Sequence, residues 1–167
     1  MGPKKLKIVN LNIRTPDLRQ TLLINRAKEP YQRYWGMPHS RIDVRELPEE
    51  AAVRALRETI GIETEITAPA GFCSESIYEN SREIWDFDIY YFNFTAEEDI
   101  LLPKNKEGGF RWFWDSLLRG KNIVPSDSAM MGVLNGDYKK RRIAVNKEEN
   151  RYELSVFAKL ESWKNGY

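Results

Sequence analysis

The sequence lacks the features of a disulfide scaffold and of a membrane protein. It has one cysteine, Cys73, which cannot form an intrachain disulfide and so favours a reducing compartment. We expect Cys73 to be a buried filler rather than a nucleophile. No apolar run approaches the roughly 20 residues of a membrane helix, and the first residues lack the apolar segment of a secretory signal. These absences predict a cytoplasmic protein that does not span a membrane.

An excess of charge of one sign is also missing. Lysine and arginine number 26, and aspartate and glutamate 25, which gives a net charge of +1. This balance argues against a protein that coats nucleic acid or a membrane surface. The basic run at residues 139–142 is therefore interpreted as a solvated turn, and no nucleic-acid partner is expected. Apolar residues make up 41% of the 167 residues, enough for one globular core.

Apolar patterning predicts many strands and one strong helix. The helix is expected from about Pro48 to Ile60, because proline suits the first helical turn and Gly61 is a good C-terminal stop. A shorter helix is expected at residues 127–134, with Ser126 or Asp127 as its cap. The predicted strands are residues 6–14, 21–26, 41–44, 63–67, 71–78, 84–94 and 111–115.

The end of the sequence allows two interpretations. Residues 142–146 and 152–157 could pair as a hairpin across 147–150. The second segment could equally be a helix that runs to Trp163. With either ending, the chain is expected to form an α/β sandwich with a strand-rich sheet.

The segment from Trp35 to Ile62 resembles the Nudix box. The box reads Gly, five residues, Glu, seven residues, then Arg-Glu-apolar-any-Glu-Glu-any-Gly-apolar. The approach Trp35-Gly-Met-Pro38 and the run from Pro48 to Arg54 are also typical of the family. The residues that match the box itself are Glu46, Arg54, Leu56, Glu58, Gly61 and Ile62. The resemblance implies the Nudix fold, a mixed β-sheet sandwiched between helices (an α/β/α sandwich). It implies a single domain over residues 1–167, with 137–167 as a C-terminal extension.

This box departs from the family pattern at several positions. His39 and Ser40 stand where the family has glycines, and Arg45 replaces the frequent glycine before the early glutamate. Ala55 and Thr59 stand where the family has two of its three helical glutamates. Because positions three and four apart share a helix face, this face keeps one strong metal ligand instead of three.

The resemblance also implies roles for the residues that remain. Mg²⁺ or Mn²⁺ would be held, weakly, by Glu58, Glu107 and the backbone carbonyl of Ser40. Glu58, Glu107 and Arg54 would act in catalysis, while Glu46 would pair with Arg54 to hold the loop. Arg41, Arg26 and His39 would contact the substrate. This scheme requires Glu58 and Glu107 to share a cleft.

The expected activity is metal-dependent hydrolysis of a nucleoside diphosphate linked to another moiety. The sequence is similar to the GDP-mannose mannosyl hydrolases at Glu29-Pro30, at Ile100-Leu-Leu-Pro103 and at Arg41, which favours a nucleotide sugar. One alternative is an inactive Nudix module that binds a nucleotide or nucleotide sugar. Another is a structural domain whose tail edge forms a homodimer.

Overall fold

The protein is described by a computed structural model that covers residues 2–65, 67–102 and 109–163, with side chains up to residue 155. Within these residues the chain forms one mixed sheet of nine strands, in the order β3-β2-β1-β6-β5-β8-β9, while β4 pairs with β1 and β7 with β2. The β1–β6 and β5–β8 pairs are parallel and the other pairs are antiparallel. The strands are β1 (Lys5–Arg14), β2 (Gln20–Asn25), β3 (Trp35–Gly36), β4 (His39–Arg41), β5 (Gly71–Glu79), β6 (Arg82–Thr95), β7 (Phe110–Trp114), β8 (Tyr138–Glu148) and β9 (Arg151–Trp163).

Two helices cover opposite faces of this sheet. Helix α1 (Pro48–Ile60) packs its buried alanines and Leu56 against one face of β1, where Val9, Leu11 and Ile13 are fully buried. Helix α2 (Pro125–Met131) buries Met130 in the other apolar cluster. Since the sheet lies between helices, the predicted α/β/α arrangement is confirmed. Neither described helix has the length and apolar composition needed to cross a membrane.

Helix α1 begins and ends where the sequence predicts. Pro48 occupies its first turn, where a missing N–H leaves no hydrogen bond unmade. Gly61 adopts a φ of 71°, and its N–H donates to the Arg57 carbonyl at 2.8 Å. A left-handed residue with this bond is a common way to end a helix, and glycine adopts it without steric cost.

Three local predictions were wrong. Residues 63–65 have no strand partner among the described residues, and Ile66 lies outside them. The predicted strand at 41–44 lies instead at His39–Arg41, because the chain turns at Arg45 with a φ of 67° and the Glu46 N–H bonds to the Asp43 carbonyl. The basic run at 139–142 is part of β8 and not a turn.

The second helix also differs from its prediction. It begins at Pro125, with Val124 at the N-cap position and no side-chain cap. Ser126 and Asp127, the predicted caps, lie inside the helix and are buried. They do not cap it because Asp127 is hydrogen-bonded to the sheet instead.

At the end of the described chain the predicted hairpin is confirmed, and the alternative prediction of a helix is wrong. Strands β8 and β9 pair antiparallel across Glu149 and Asn150, with Glu149 at a φ of 57°. Strand β8 also lies parallel to β5, so both of its edges are paired. Ile143 and Val145 are buried on its inner face. This tertiary pairing selects the extended conformation, which the sequence pattern of the tail left open.

A buried carboxylate fixes α2 to the sheet. The Asp127 Oδ2 accepts the Met37 N–H at 2.8 Å. Its Oδ1 accepts from the Asn10 amide at 2.7 Å and from the Tyr91 hydroxyl at 3.1 Å. Gly36 passes so close that a Cβ there would lie 2.9 Å from Asp127 Oδ2 and 2.9 Å from a Val124 methyl. The residue preceding Met37 must therefore be very small.

We predict that Gly36→Ala destabilises the protein by about 1–3 kcal/mol, because the added methyl displaces Val124 or the Asp127 carboxylate. Urea unfolding measures the change. The control is Gly132→Ala, since Gly132 has a helical φ of −78° and open space around its Cα. Equal stability of the two variants would contradict the close packing at Gly36.

Candidate functional site

A cavity of about 520 Å³ lies on the same face of the sheet as α2. The face of β1 that points away from α1 and the inner side of β6 supply apolar walls, including Ile8, Trp85 and Phe87. The loop after β2, strand β4, strand β5 and the first turn of α2 add polar side chains. An apolar cleft with a few converging polar groups is the usual form of a small-molecule site.

One side of the cavity is lined by the basic residues that the sequence analysis assigned to substrate binding. Arg26, His39 and Arg41 all belong to the lining. The His39 Nδ1 lies 3.1 Å from the Met37 carbonyl, and its Nε2 lies 3.1 Å from an Arg26 Nη atom. The simplest assignment is that Nδ1–H donates to the carbonyl while Nε2 accepts from Arg26. In this neutral form His39 orients Arg26, whose Nε also donates to the Pro30 carbonyl at 2.8 Å.

The inner part of the cavity is a polar floor, defined as the side chains of Asn10, Tyr31, Glu75 and Ser126. Each of the four is at most 4% exposed. The Asn10 Oδ1, Tyr31 hydroxyl, Glu75 Oε2 and Ser126 Oγ have no partner at full hydrogen-bond geometry among the described residues, although the Tyr31 and Ser126 hydroxyls lie close enough to the Glu75 carboxyl to lower its pKa as hydrogen-bond donors. Buried polar atoms are nearly always paired in proteins, so a set of four without partners is unusual.

Glu75 is the central group of this floor. Burial is the main cause that raises the pKa of its carboxyl from the usual 4.5 to about 7, and the negative charge of Asp127 acts in the same direction. The nearby hydroxyls of Ser126 and Tyr31 and the charge of Arg26 partly offset the effect. Burial likewise raises the pKa of Asp127, which its hydrogen bonds to Met37, Asn10 and Tyr91 counteract. The cavity therefore holds a carboxyl that can exist in either protonation state near neutral pH.

The loop and helix of the box are joined as the resemblance implies. The Arg54 Nε and Nη2 donate to the two Glu46 carboxylate oxygens at 2.8 and 2.9 Å. Arg54 also donates to the Ser40 hydroxyl at 3.2 Å and to the Arg41 carbonyl at 2.8 Å. The hydrogen bonds from Arg54, together with its charge, lower the pKa of Glu46 because they favour the carboxylate. The predicted Glu46–Arg54 pair is present, and it connects α1 to strand β4 at the side of the cavity.

Of the predicted metal ligands, the structure places Glu58 and Ser40 beside the same guanidinium: Arg54 Nη1 lies 3.3 Å from Glu58 Oε2 and 3.2 Å from the Ser40 hydroxyl. Glu58 is 59% exposed, does not line the cavity, and has its ion pair with Arg54 at 3.3 Å. Ala55 is buried against the core and offers no ligand. Ser40 lines the cavity, whereas Glu107 lies outside the described residues. Among the residues described, no group of three histidine, cysteine, aspartate or glutamate side chains could hold a metal ion. Glu58, the predicted carboxylate ligand that the structure describes, is paired with Arg54, so by itself it would make only a weak site for a divalent metal.

Sequence reasoning missed Glu75 altogether and interpreted Asp127 as a helix cap. A signal for Glu75 was available. Gly71, Cys73, Glu75 and Ile77 are the alternate positions of β5 that the structure buries, and a charged residue at an apolar-face position of a strand is unusual. Cys73, by contrast, is fully buried and is the filler that the sequence predicts.

The raised pKa of Glu75 predicts a pH-dependent stability difference between wild type and Glu75→Gln. In the unfolded chain the carboxyl loses its proton near its usual pKa of 4.5, and in the folded chain near 7. The free energy of unfolding of the wild type should therefore fall relative to that of the variant as the pH rises from 4.5 to about 7. Above that range the difference between the two should no longer change with pH. The total change is on the order of 3 kcal/mol. Urea unfolding at pH 5, 6, 7 and 8 measures it, and a pH-independent difference would contradict the prediction.

Comparison with known proteins agrees with the resemblance of the box. The NUDIX domain family model matches residues 5–123. The fold is similar to that of the mutator MutT protein from Bacillus halodurans, with a TM-score of 0.71 and 19% identity over 92% of this chain and 97% of that chain. A MutT NUDIX hydrolase from Burkholderia pseudomallei gives a TM-score of 0.60 and 20% identity, over 78% and 98% of the two chains. The NUDIX domain of Shewanella oneidensis NrtR, in complex with ADP ribose, gives a TM-score of 0.59 and 15% identity, over 78% of this chain and 86% of that chain. At these identities the structures show a shared fold, and the family match carries the assignment: the chain belongs to the Nudix family of hydrolases.

Proposed function

We propose that this protein hydrolyses a nucleoside diphosphate linked to another moiety, with a nucleotide sugar as the substrate class. The observation that carries the proposal is the cavity beside the box, lined by Arg26, His39 and Arg41. Arginine guanidinium groups match phosphate oxygens in charge and geometry. The ADP ribose bound by the NUDIX domain of NrtR is a compound of this class.

The arrangement assigns separate tasks to the residues around the cavity. Arg41 and Arg26 meet the diphosphate, and His39 fixes the orientation of Arg26 through its Nε2. Arg54 holds the loop by binding both oxygens of Glu46 and acts as a positioning residue. Because Arg54 also bonds to the Arg41 carbonyl, the helix sets the backbone position of a phosphate-binding residue.

The metal requirement is a separate part of the proposal. Glu58 alone, already paired with Arg54, makes a poor ligand set. A Mg²⁺ or Mn²⁺ ion would need Glu107, the Ser40 carbonyl and substrate phosphate as well, and ligand charge this low implies weak binding. We therefore expect any metal dependence to appear only at high metal concentration.

We predict that a panel of GDP-mannose, UDP-glucose and ADP-ribose identifies at least one hydrolysed compound. Release of sugar and of phosphate is followed with no metal and with increasing Mg²⁺ or Mn²⁺. Arg41→Ala should weaken binding of that compound about tenfold, since it removes a charge-assisted contact. Arg57→Ala is the control, because Arg57 is exposed on α1 and does not line the cavity. Equal effects of the two substitutions would argue against the phosphate role of Arg41.

A second candidate function is binding without turnover. It is favoured by the buried Ala55 and the exposed, arginine-paired Glu58, which leave α1 without the family's acidic face. Ligand-induced thermal stabilisation with no product released from any compound of the panel would support the binding module.

The variant Thr59→Glu separates the two candidates further. It restores one of the missing carboxylates one residue beyond Glu58, at a half-buried position near the end of α1. If the scaffold is still shaped for hydrolysis, we predict that Thr59→Glu raises metal-dependent turnover at least tenfold. The control Thr59→Gln has the same size without the charge, and a similar gain in that control would contradict a metal effect.

A further inference from the structure

The polar floor of the cavity has an unsatisfied hydrogen-bonding capacity that points to its ligand. Asn10 lies on β1, Tyr31 on the loop after β2, Glu75 on β5 and Ser126 on α2. All four line the cavity, and each has a buried oxygen with no partner among the described residues. Four separate elements therefore direct unpaired oxygens into one space. Leaving such atoms unpaired is costly, so the floor is suited to a ligand that pairs them.

The chemistry of the four oxygens limits what that ligand can be. The Asn10 Oδ1 only accepts because it is a carbonyl oxygen, and its orientation is fixed by the Asn10 Nδ2, which donates to Asp127. The Glu75 Oε2 accepts when the carboxyl is ionised. The hydroxyls of Tyr31 and Ser126 can each donate or accept. The matching ligand presents several neighbouring groups that donate and accept together, as the adjacent hydroxyls of a sugar do.

The charge and the walls of the cavity agree with this ligand. Phosphate groups would be repelled from the floor by Glu75 and Asp127, and attracted to the side that Arg26 and Arg41 line. Trp85 and Phe87 lie parallel, with ring centroids 5.7 Å apart, and both line the cavity. Aromatic walls beside a polar floor suit a ring that is apolar on its faces and polar at its edge.

We infer that the polar floor, with Glu75 as its anchor, binds the sugar ring of the nucleotide sugar through neighbouring hydroxyl groups. This inference rests on the proposed function, because it assigns the diphosphate to the arginines and the sugar to the floor. It makes Glu75 a specificity-determining residue that distinguishes a nucleotide sugar from the bare nucleoside diphosphate.

The experiment measures dissociation constants by calorimetry for matched pairs: GDP-mannose and GDP, UDP-glucose and UDP, ADP-ribose and ADP. For at least one pair, wild type should bind the sugar-linked member at least tenfold more tightly. Glu75→Gln should reduce that ratio to less than threefold without weakening the binding of the diphosphate. The control is Glu83→Gln, which changes a glutamate on β6 that does not line the cavity; it should keep the wild-type ratio.

The possible failures are distinguishable. If wild type binds a diphosphate but gains nothing from any attached sugar, the inference is wrong and the proposed function stands. Equal weakening of diphosphate and nucleotide sugar by Glu75→Gln would also overturn it, since Glu75 would then act on the shared part of the ligand. A loss of turnover in Glu75→Gln with unchanged affinities would assign Glu75 to the chemistry and equally refute a sugar anchor. If no compound of the panel binds at all, the proposed function fails and the inference fails with it.

A fold defect is tested separately. Glu75→Gln removes a buried charge, so it should be at least as stable as wild type at pH 8. Circular dichroism and urea unfolding at that pH check this, and a second variant, Ser126→Ala, removes a different member of the floor. Ser126→Ala should lower the sugar-to-diphosphate ratio in the same direction, and an unchanged ratio there would count against a shared floor.

Discussion

The buried carboxylate of Asp127 is the interaction on which the arrangement of the cavity depends. Its three donors come from β1, β6 and the backbone that follows Gly36. An apolar residue there would leave the buried Met37 N–H and the buried Asn10 amide unpaired, at a cost of about 1–3 kcal/mol each. The same bonds hold the short helix α2 in place, and with it Ser126 at the floor of the cavity. A seven-residue helix has too little surface to fix its own position by apolar packing alone.

In this chain the contacts that join the loop and the helix of the Nudix box are kept, although Ala55 and Thr59 stand where the family has two of its helical glutamates. Arg54 still binds Glu46 and reaches the Ser40 hydroxyl and the Arg41 carbonyl. These bonds hold β4 against α1 without Glu58, the carboxylate of α1 that the resemblance assigns to metal binding. Such a scaffold can survive the loss of two helical glutamates, since its stability and the chemistry it once supported rest on different contacts.

Local features were predictable from the sequence, and long-range ones were not. Helix α1 follows from the residue spacing within one short stretch, and the Glu46–Arg54 pair follows from the resemblance of that stretch to the Nudix box. Asp127 meets Asn10 across 117 positions of the chain, and no local rule brings those two together. Because Asp127 lies near the start of a helix, the sequence favoured a capping role. In the structure its donors are instead Asn10 and Tyr91 of the sheet and the Met37 N–H. The tail was ambiguous for the same reason: β8 is a strand because β5 lies beside it.

The C-terminal hairpin contributes to the cavity without lining it. The Tyr152 ring lies 4.4 Å from the Tyr31 ring, its hydroxyl donates to Glu29, and its N–H donates to the Tyr34 hydroxyl. The loop that carries Tyr31 is thus braced from behind by a segment outside the box and outside the matched family region. Sequence changes in this hairpin can therefore alter the shape of the cavity while every box residue stays the same. In this chain a hairpin late in the sequence is thus connected mechanically to the loop that supplies Tyr31 to the cavity.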